Sequence, residues 1–181
     1  MNICLFGAAS DEIGKEYLEA AEAFGEALAR RGHSLVFGGG ATGVMGAAAR
    51  GVSKAGGTLT GIAPRFFQKE GVLYGGCTEL LYTETMRERK QWMEERSDAV
   101  VMAPGGIGTF EEFFEMLTLK QLGRHRKPIA VLNLCGYFDE MQRMLQKAVR
   151  LRFMGEETMA LYGCFSDGEA LLCALEDSVA E

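Results

Sequence analysis

Two glycine-rich turns, one arginine and one glutamate carry the chemistry legible in this 181-residue sequence. The first turn reads Gly38-Gly39-Gly40-Ala41-Thr42-Gly43-Val44-Met45-Gly46, between a strand-like run and a helical one. The second, Pro104-Gly105-Gly106-Ile107-Gly108-Thr109, occupies an equivalent place. Glycines permit positive φ and close approach, so the N–H groups of such turns can cradle a phosphate, and the helix that follows adds partial positive charge. Gly38, Gly40 and Gly43 spell a dinucleotide fingerprint, yet the ribose-binding Asp or Glu due about 20 residues later is missing. Gly61, Ile62, Ala63 and Pro64 stand there instead. No lysine follows the glycines as in a P-loop either. The two turns together point to the phosphate of a small nucleotide.

Glu112 follows the second turn and has two readings. Thr109-Phe110-Glu111-Glu112 fits a capping box, with Thr109 as N-cap and Glu112 bonding back. Helical geometry also turns Glu112 away from the apolar stripe of Phe110, Phe113, Phe114 and Leu117, leaving it free for a ligand. Arg89 lies on a mostly apolar stripe with Met86, Trp92, Met93 and Arg96, and no carboxylate stands three or four residues away. Either it snorkels, or it needs a partner from elsewhere, which Glu112 or a ligand anion would supply. Glu88 reads as the cap partner of Thr85, and Lys90 as a surface pair with Glu94.

The other reactive residue types suggest no chemistry. His33 reads as a helix-end cap or a solvent-facing residue, and His125, within Arg124-His125-Arg126-Lys127, as part of a solvated loop. Cys4, Cys77, Cys135, Cys164 and Cys173 are widely spaced, so a zinc or iron–sulfur site is not expected. Cys4 and Cys135 lie in apolar runs and read as small buried hydrophobes.

The elements that must position these residues alternate along the chain. Strands are expected over Ile3–Phe6, Ser34–Phe37, Thr58–Ala63, Ala99–Ala103 and Ile129–Asn133. Helices are expected over Ile13–Arg31, Val44–Ala55, Met86–Ser97, Phe110–Leu122 and Phe138–Leu151. That order predicts a single Rossmann-like α/β domain over residues 1–181: a doubly wound, mainly parallel sheet with helices on both faces. Both glycine turns then fall on the edge where such sheets bind ligands. Pro64–Thr83 reads as a flexible excursion with at most a short strand near Leu80, and a short helix is expected after Asp167. The helix with Met141, Met144, Leu145 and Ala148 reads as core or subunit contact.

Composition narrows the function class. Nineteen basic against 25 acidic residues leave a net charge of −6, which argues against a nucleic-acid or anionic-membrane surface. No run approaches the roughly 18 apolar residues of a membrane span, so a cytoplasmic protein is expected.

The sequence resembles the LOG (Lonely Guy) family of cytokinin-type nucleoside 5′-monophosphate phosphoribohydrolases, historically labelled lysine decarboxylases. The resemblance rests on the G-G-G-x-x-G-x-M-G turn at Gly38 to Gly46, M-x-x-R-K at Met86 to Lys90, and P-G-G-x-G-T-x-x-E at Pro104 to Glu112. The stretch Gln121 to Pro128, with Leu132-Asn133 and Gly136-Tyr137, is also similar. It implies hydrolysis of the N-glycosidic bond of a purine nucleoside monophosphate, AMP or an N6-modified AMP, to free base and ribose 5-phosphate. No metal or organic cofactor is implied, and the implied assembly is a homodimer. By motif position Arg89 and Glu112 are the catalytic pair and Gly105, Gly106, Ile107, Gly108 and Thr109 bind phosphate; Gly39, Gly40 and Gly43 of the companion turn are expected to help clamp the same phosphate. Lys90 and Thr118 are implied substrate contacts, as is Glu70 if one gap is allowed. The chain departs from the pattern at Arg87, where many members have His, and at Gly7-Ala8-Ala9-Ser10, where they have C-G-S-S. Lysine decarboxylation would need a pyridoxal phosphate lysine and its pyridinium partner, and neither is recognisable. The alternative of another class is a non-catalytic carrier of a nucleotide or phosphorylated cofactor on the same fold. In the enzyme reading Glu112 stabilises oxocarbenium-like charge or positions water, and the adjacent Arg89 is expected to keep it ionised.

Overall fold

A computed structural model describes residues 1–180; Glu181, the last residue of the expected domain, lies outside the described residues. Seven strands form one sheet: β1 (Asn2–Phe6), β2 (Ser34–Phe37), β3 (Leu59–Pro64), β4 (Glu79–Thr83), β5 (Ala99–Met102), β6 (Ile129–Leu132) and β7 (Gly163–Phe165). Every pairing is parallel and the order is β4-β3-β2-β1-β5-β6-β7. The strand order reverses between β1 and β5, and an open sheet of this kind offers a ligand crevice beyond the carboxyl ends of those two strands.

Alternate residues of each strand feed two cores. Ile3, Leu5, Leu35, Phe37 and Val101 pack beneath α1 (Lys15–Arg30), α2 (Gly43–Lys54) and α6 (Gly168–Ala180). Cys4, Phe6, Val36, Val100 and Met102 pack beneath α3 (Met86–Glu95), α4 (Ile107–Gln121) and α5 (Asp139–Arg150). Burial on both faces explains why these strands are apolar throughout rather than alternating. The α1–α2 contact is close because Gly25 and Gly51 admit backbone: a Cβ on Gly25 would lie 2.1 Å from the Ala48 carbonyl oxygen. The expected doubly wound architecture is therefore present.

Several local readings change. The β3–β4 excursion contains a short 3₁₀ turn at Arg65–Phe67, and an isolated bridge ties Gly40 to Leu73. The strand near Leu80 is β4, paired along its length with β3. β7 escaped notice because three edge residues, Gly-Cys-Phe, carry no alternation. Cys4 is buried as expected, but Cys135 is exposed at φ 52°, on a tight turn rather than in the core. His33 closes the helix end through its N–H, which donates to the Leu28 carbonyl at 3.1 Å, but its side chain does not face solvent: it is buried, with Nε2 2.8 Å from Glu176 Oε1, and Arg31 joins the same carboxylate. His125 is half-buried and folds inward, its Nε2 2.9 Å from the Met116 carbonyl while Nδ1 accepts from Lys127 N–H. His33 turns inward to a carboxylate 143 residues away in the chain, and His125 to a carbonyl nine residues back on the preceding helix. Among the described residues no helix is long and apolar enough to cross a membrane.

Candidate active site

Thr85 caps α3 by accepting from the Glu88 N–H at 3.1 Å, and the Glu88 carboxylate accepts from Glu84 N–H. This cap sets the helix phase that turns Arg89 inward over the sheet. Its Nε donates to the Ile62 carbonyl at 3.1 Å and its Nη1 to Glu112 Oε1 at 2.7 Å. The two side chains are only 7% and 11% exposed.

α4 begins at Ile107, three residues before the expected start, with Gly106 as its N-cap and no side-chain cap bond. Thr109 therefore lies inside the first turn, buried, and the expected capping box does not form. The shift comes from the glycines themselves, whose low helix propensity disguises a first turn that tertiary packing stabilises. Gly105 is the tight point, since a Cβ there would lie 2.1 Å from Thr109 Oγ1 and 2.9 Å from Ala8 N. Among the described residues no hydrogen-bond acceptor is paired with the N–H groups of Gly106, Ile107, Gly108 or Thr109. Gly106, Ile107 and Gly108 are exposed. Four free donors at the N-terminus of a fifteen-residue helix form an anion cradle. A cavity of about 290 Å³ adjoins it, lined by Ala8, Ser10, Ile13, Tyr17, Gly105 and Tyr137 and lying at the β1/β5 reversal.

The first glycine turn is differently occupied. Ala41 N–H donates to the Val72 carbonyl, Met45 N–H to the Ala8 carbonyl, and Gly43 N–H to Asp11 Oδ1 at 2.7 Å. Tyr74 N–H donates to the Gly39 carbonyl. Gly39 and Gly43 have positive φ, 77° and 66°, as a turn of this kind requires. Gly38 serves the site differently. A Cβ there would lie 2.0 Å from Arg89 Nη2, so its bare Cα makes the berth of the guanidinium.

Lys90 does not pair with Glu94. It bonds Glu111 and lies 2.6 Å from Glu115, both on α4, its long side chain reaching across from α3 to the facing helix. Burial pulls its ammonium down, but the two carboxylates outweigh that and hold it above the ordinary lysine value. Lys90, Glu111, Glu115, Arg87 and Glu112 line a cleft of about 510 Å³ between the two helices. Thr118 is exposed on the α4 face that carries Glu111 and Glu115. Glu70 is exposed in the β3–β4 connection.

Burial pushes the Glu112 carboxyl above its ordinary value; the Arg89 guanidinium opposes this without cancelling it. Arg89 favours the ionised form, as expected of it, but desolvation is the larger effect and the net shift is upward. A carboxylate with an upward-shifted pKa beside a fixed cation is suited to taking a proton from water or to stabilising developing positive charge. Beneath the pair, Cys4 is fully buried and its thiol is pushed far above the ordinary range by burial, so it stays neutral. Among the described residues no group of three or more His, Cys, Asp or Glu could hold a metal.

Tyr137, Asp11 and the Ile62 carbonyl join the site without any mark in the sequence. Nothing in the periodicity of their own segments marks them, since each is recruited by a partner remote in sequence.

A family model described as "Possible lysine decarboxylase" matches residues 45–175. A cytokinin riboside 5′-monophosphate phosphoribohydrolase of Mycobacterium tuberculosis is 42% identical over 130 residues, covering 72% of this chain and 70% of that protein. One from Rhodococcoides fascians is 35% identical over 175 residues, covering 96% and 88%. The fold is shared with the molybdenum cofactor binding protein from Rippkaea orientalis, with a TM-score of 0.77 at 22% identity over 98% of this chain and 96% of that one. The chain belongs to the LOG family, the one the matching model calls "Possible lysine decarboxylase" and whose relatives here bear the name cytokinin riboside 5′-monophosphate phosphoribohydrolase.

Proposed function

We propose that the protein hydrolyses the N-glycosidic bond of a purine nucleoside 5′-monophosphate, AMP or its N6-modified cytokinin type, to free base and ribose 5-phosphate. The observation that carries this reading is the buried Arg89–Glu112 pair, 2.7 Å apart, one helical turn from the unpaired N–H groups of Gly106 to Thr109. A structural role alone explains such a pair poorly, since burying two charges costs about as much as their attraction returns. Membership of a family whose relatives bear this enzyme's name supports the same reading.

The 5′-phosphate sits on the second glycine turn, where free donors and the helix N-terminus favour an anion. Glu112 faces the ribose, and Arg89 orients Glu112. The C1′–N bond breaks with its electron pair leaving on the base, and water adds to C1′ as its proton passes to Glu112; the base anion then takes up a proton from solvent, and Glu112 returns its own to solvent. Gly39, Gly40 and Gly43 act by shaping the neighbouring wall, since Gly43 N–H is taken by Asp11 and the adjoining Ala41 and Met45 N–H groups by main-chain carbonyls. Lys90 and Thr118 border the substrate from the α3–α4 side, and Glu70 from the β3–β4 connection. The reading includes a homodimer in the cytoplasm; exposed Met144, Leu151 and Phe153 offer apolar surface for the partner copy.

The test is direct. The protein is incubated with AMP and with an N6-isoprenoid AMP, and free base and ribose 5-phosphate are assayed. Release of both products supports hydrolysis. Binding of the nucleotide without release would assign the site to a carrier.

A further inference from the structure

We propose that Tyr137 is a positioning residue for the anion cradle: its hydroxyl locks the Gly105–Gly106 peptide so that the Gly106 N–H faces the ligand. The proposal rests on the phosphate placement given above. Tyr137 Oη donates to the Gly105 carbonyl at 2.7 Å. A peptide unit is planar and trans, so its C=O and its N–H point in opposite directions. Anchoring the Gly105 carbonyl therefore sets the direction of the Gly106 N–H, which has no acceptor among the described residues.

This peptide needs an external lock because it lies between two glycines. Gly106 has φ −92°, and a peptide flip would carry that angle to the positive side, open to glycine and closed to most other residues. Such a flip would replace a donor by a carbonyl oxygen at the phosphate position. Gly105 cannot be exchanged for a stiffer residue, given the contacts its Cβ would make with Thr109 and Ala8.

The tyrosine is itself held firmly. Cys135 and Gly136 adopt consecutive positive φ values, 52° and 72°, which turn the chain back beneath the cradle. Non-glycine residues in that conformation persist where their surroundings over-determine it. Asn133 Oδ1 accepts from Phe138 N–H at 2.7 Å, and the Tyr137 ring packs edge-on against Phe138 at 4.9 Å and Tyr17 at 6.0 Å. Phenylalanine would serve that packing equally well; only the carbonyl bond calls for the hydroxyl.

The experiment compares wild type, Tyr137→Phe, Gly106→Ala and the double variant. A Cβ on Gly106 meets nothing within 4 Å, so alanine fits and disfavours the flipped peptide. Calorimetry with inorganic phosphate and with ribose 5-phosphate reads anion binding without turnover, and steady-state assays with AMP give KM and kcat. Tyr137→Phe is expected to weaken both anions and raise KM for AMP about fivefold to tenfold, with kcat within about twofold and adenosine binding unchanged. The same change made in the Gly106→Ala background is expected to raise KM less than about twofold, because the two substitutions act on one peptide. Unaltered anion affinity in Tyr137→Phe overturns the proposal, as does an equal loss for adenosine or an equal rise in both backgrounds. A wild-type protein that releases no base from AMP removes the proposed reaction, while the calorimetric arm still decides the role of Tyr137.

Discussion

The guanidinium of Arg89 rests on the bare Cα of Gly38, so close that a Cβ there would fall 2.0 Å from Nη2. The first glycine turn thus enters the site as the floor under the arginine, and Arg89 in turn reaches Glu112 on the far side of the β1/β5 reversal.

Gly38→Ala therefore tests that floor. The added methyl must displace the guanidinium from Glu112, and we expect kcat to fall by at least about 100-fold, since a small misplacement of a catalytic group is costly. Overpacking should cost about 1–3 kcal/mol of stability, read by urea denaturation. Wild-type kcat in Gly38→Ala would show that Arg89 needs no such seat.

Glu112→Gln keeps the shape and an acceptor for Arg89 while removing the charge. Loss of proton transfer and of charge stabilisation should lower kcat about 10²- to 10⁴-fold, and stability should fall as well, since the buried Arg89 guanidinium is left without its counter-charge. In wild type the acid limb of the kcat/KM profile should lie above the ordinary glutamate value of 4.5, because burial raises this carboxyl. Near wild-type turnover in the variant would leave Glu112 as nothing more than a partner for Arg89.

Arg89→Met strands a buried carboxylate. The Glu112 pKa is raised in the folded state, so its contribution to stability is present at acid pH and lost as pH rises through the raised value. The variant should lose about 3–5 kcal/mol near pH 7, and distinctly less near pH 4, where Glu112 takes up a proton. Denaturant titrations at the two pH values measure this; equal losses at both would count against Glu112 as the stranded charge.

Glu176 shows the opposite sign. Hydrogen bonds from Arg31 and then His33 lower its carboxyl from 4.5 to about 2. Its stabilisation is present above pH 4.5 and is lost as pH falls towards 2. Thermal unfolding across that window should steepen less in Glu176→Gln than in wild type. An unchanged slope would mean the cluster docking α6 onto the α1–β2 turn has no part in acid unfolding.

What the sequence by itself determined was local and periodic. Alternating apolar runs and amphipathic segments specify a wound parallel sheet, and glycines placed between strand and helix put phosphate-type turns on its carboxyl edge. Arg89 could be marked as needing a partner because a charge on an apolar stripe with no neighbouring carboxylate is unstable alone. Tertiary structure decided which partner it finds, since the Arg89–Glu112 contact joins helices that follow two non-adjacent strands, β4 and β5, and depends on the strand order. It also decided that the two glycine turns are unequal: Asp11, Ala8 and Val72 reach in from elsewhere to take donors of the first, while those of the second stay open. Tyr137 belongs wholly to this second category. Its hydroxyl matters only through a carbonyl 32 residues away in the chain, and contacts of that kind leave no period, cap or propensity behind them in the sequence.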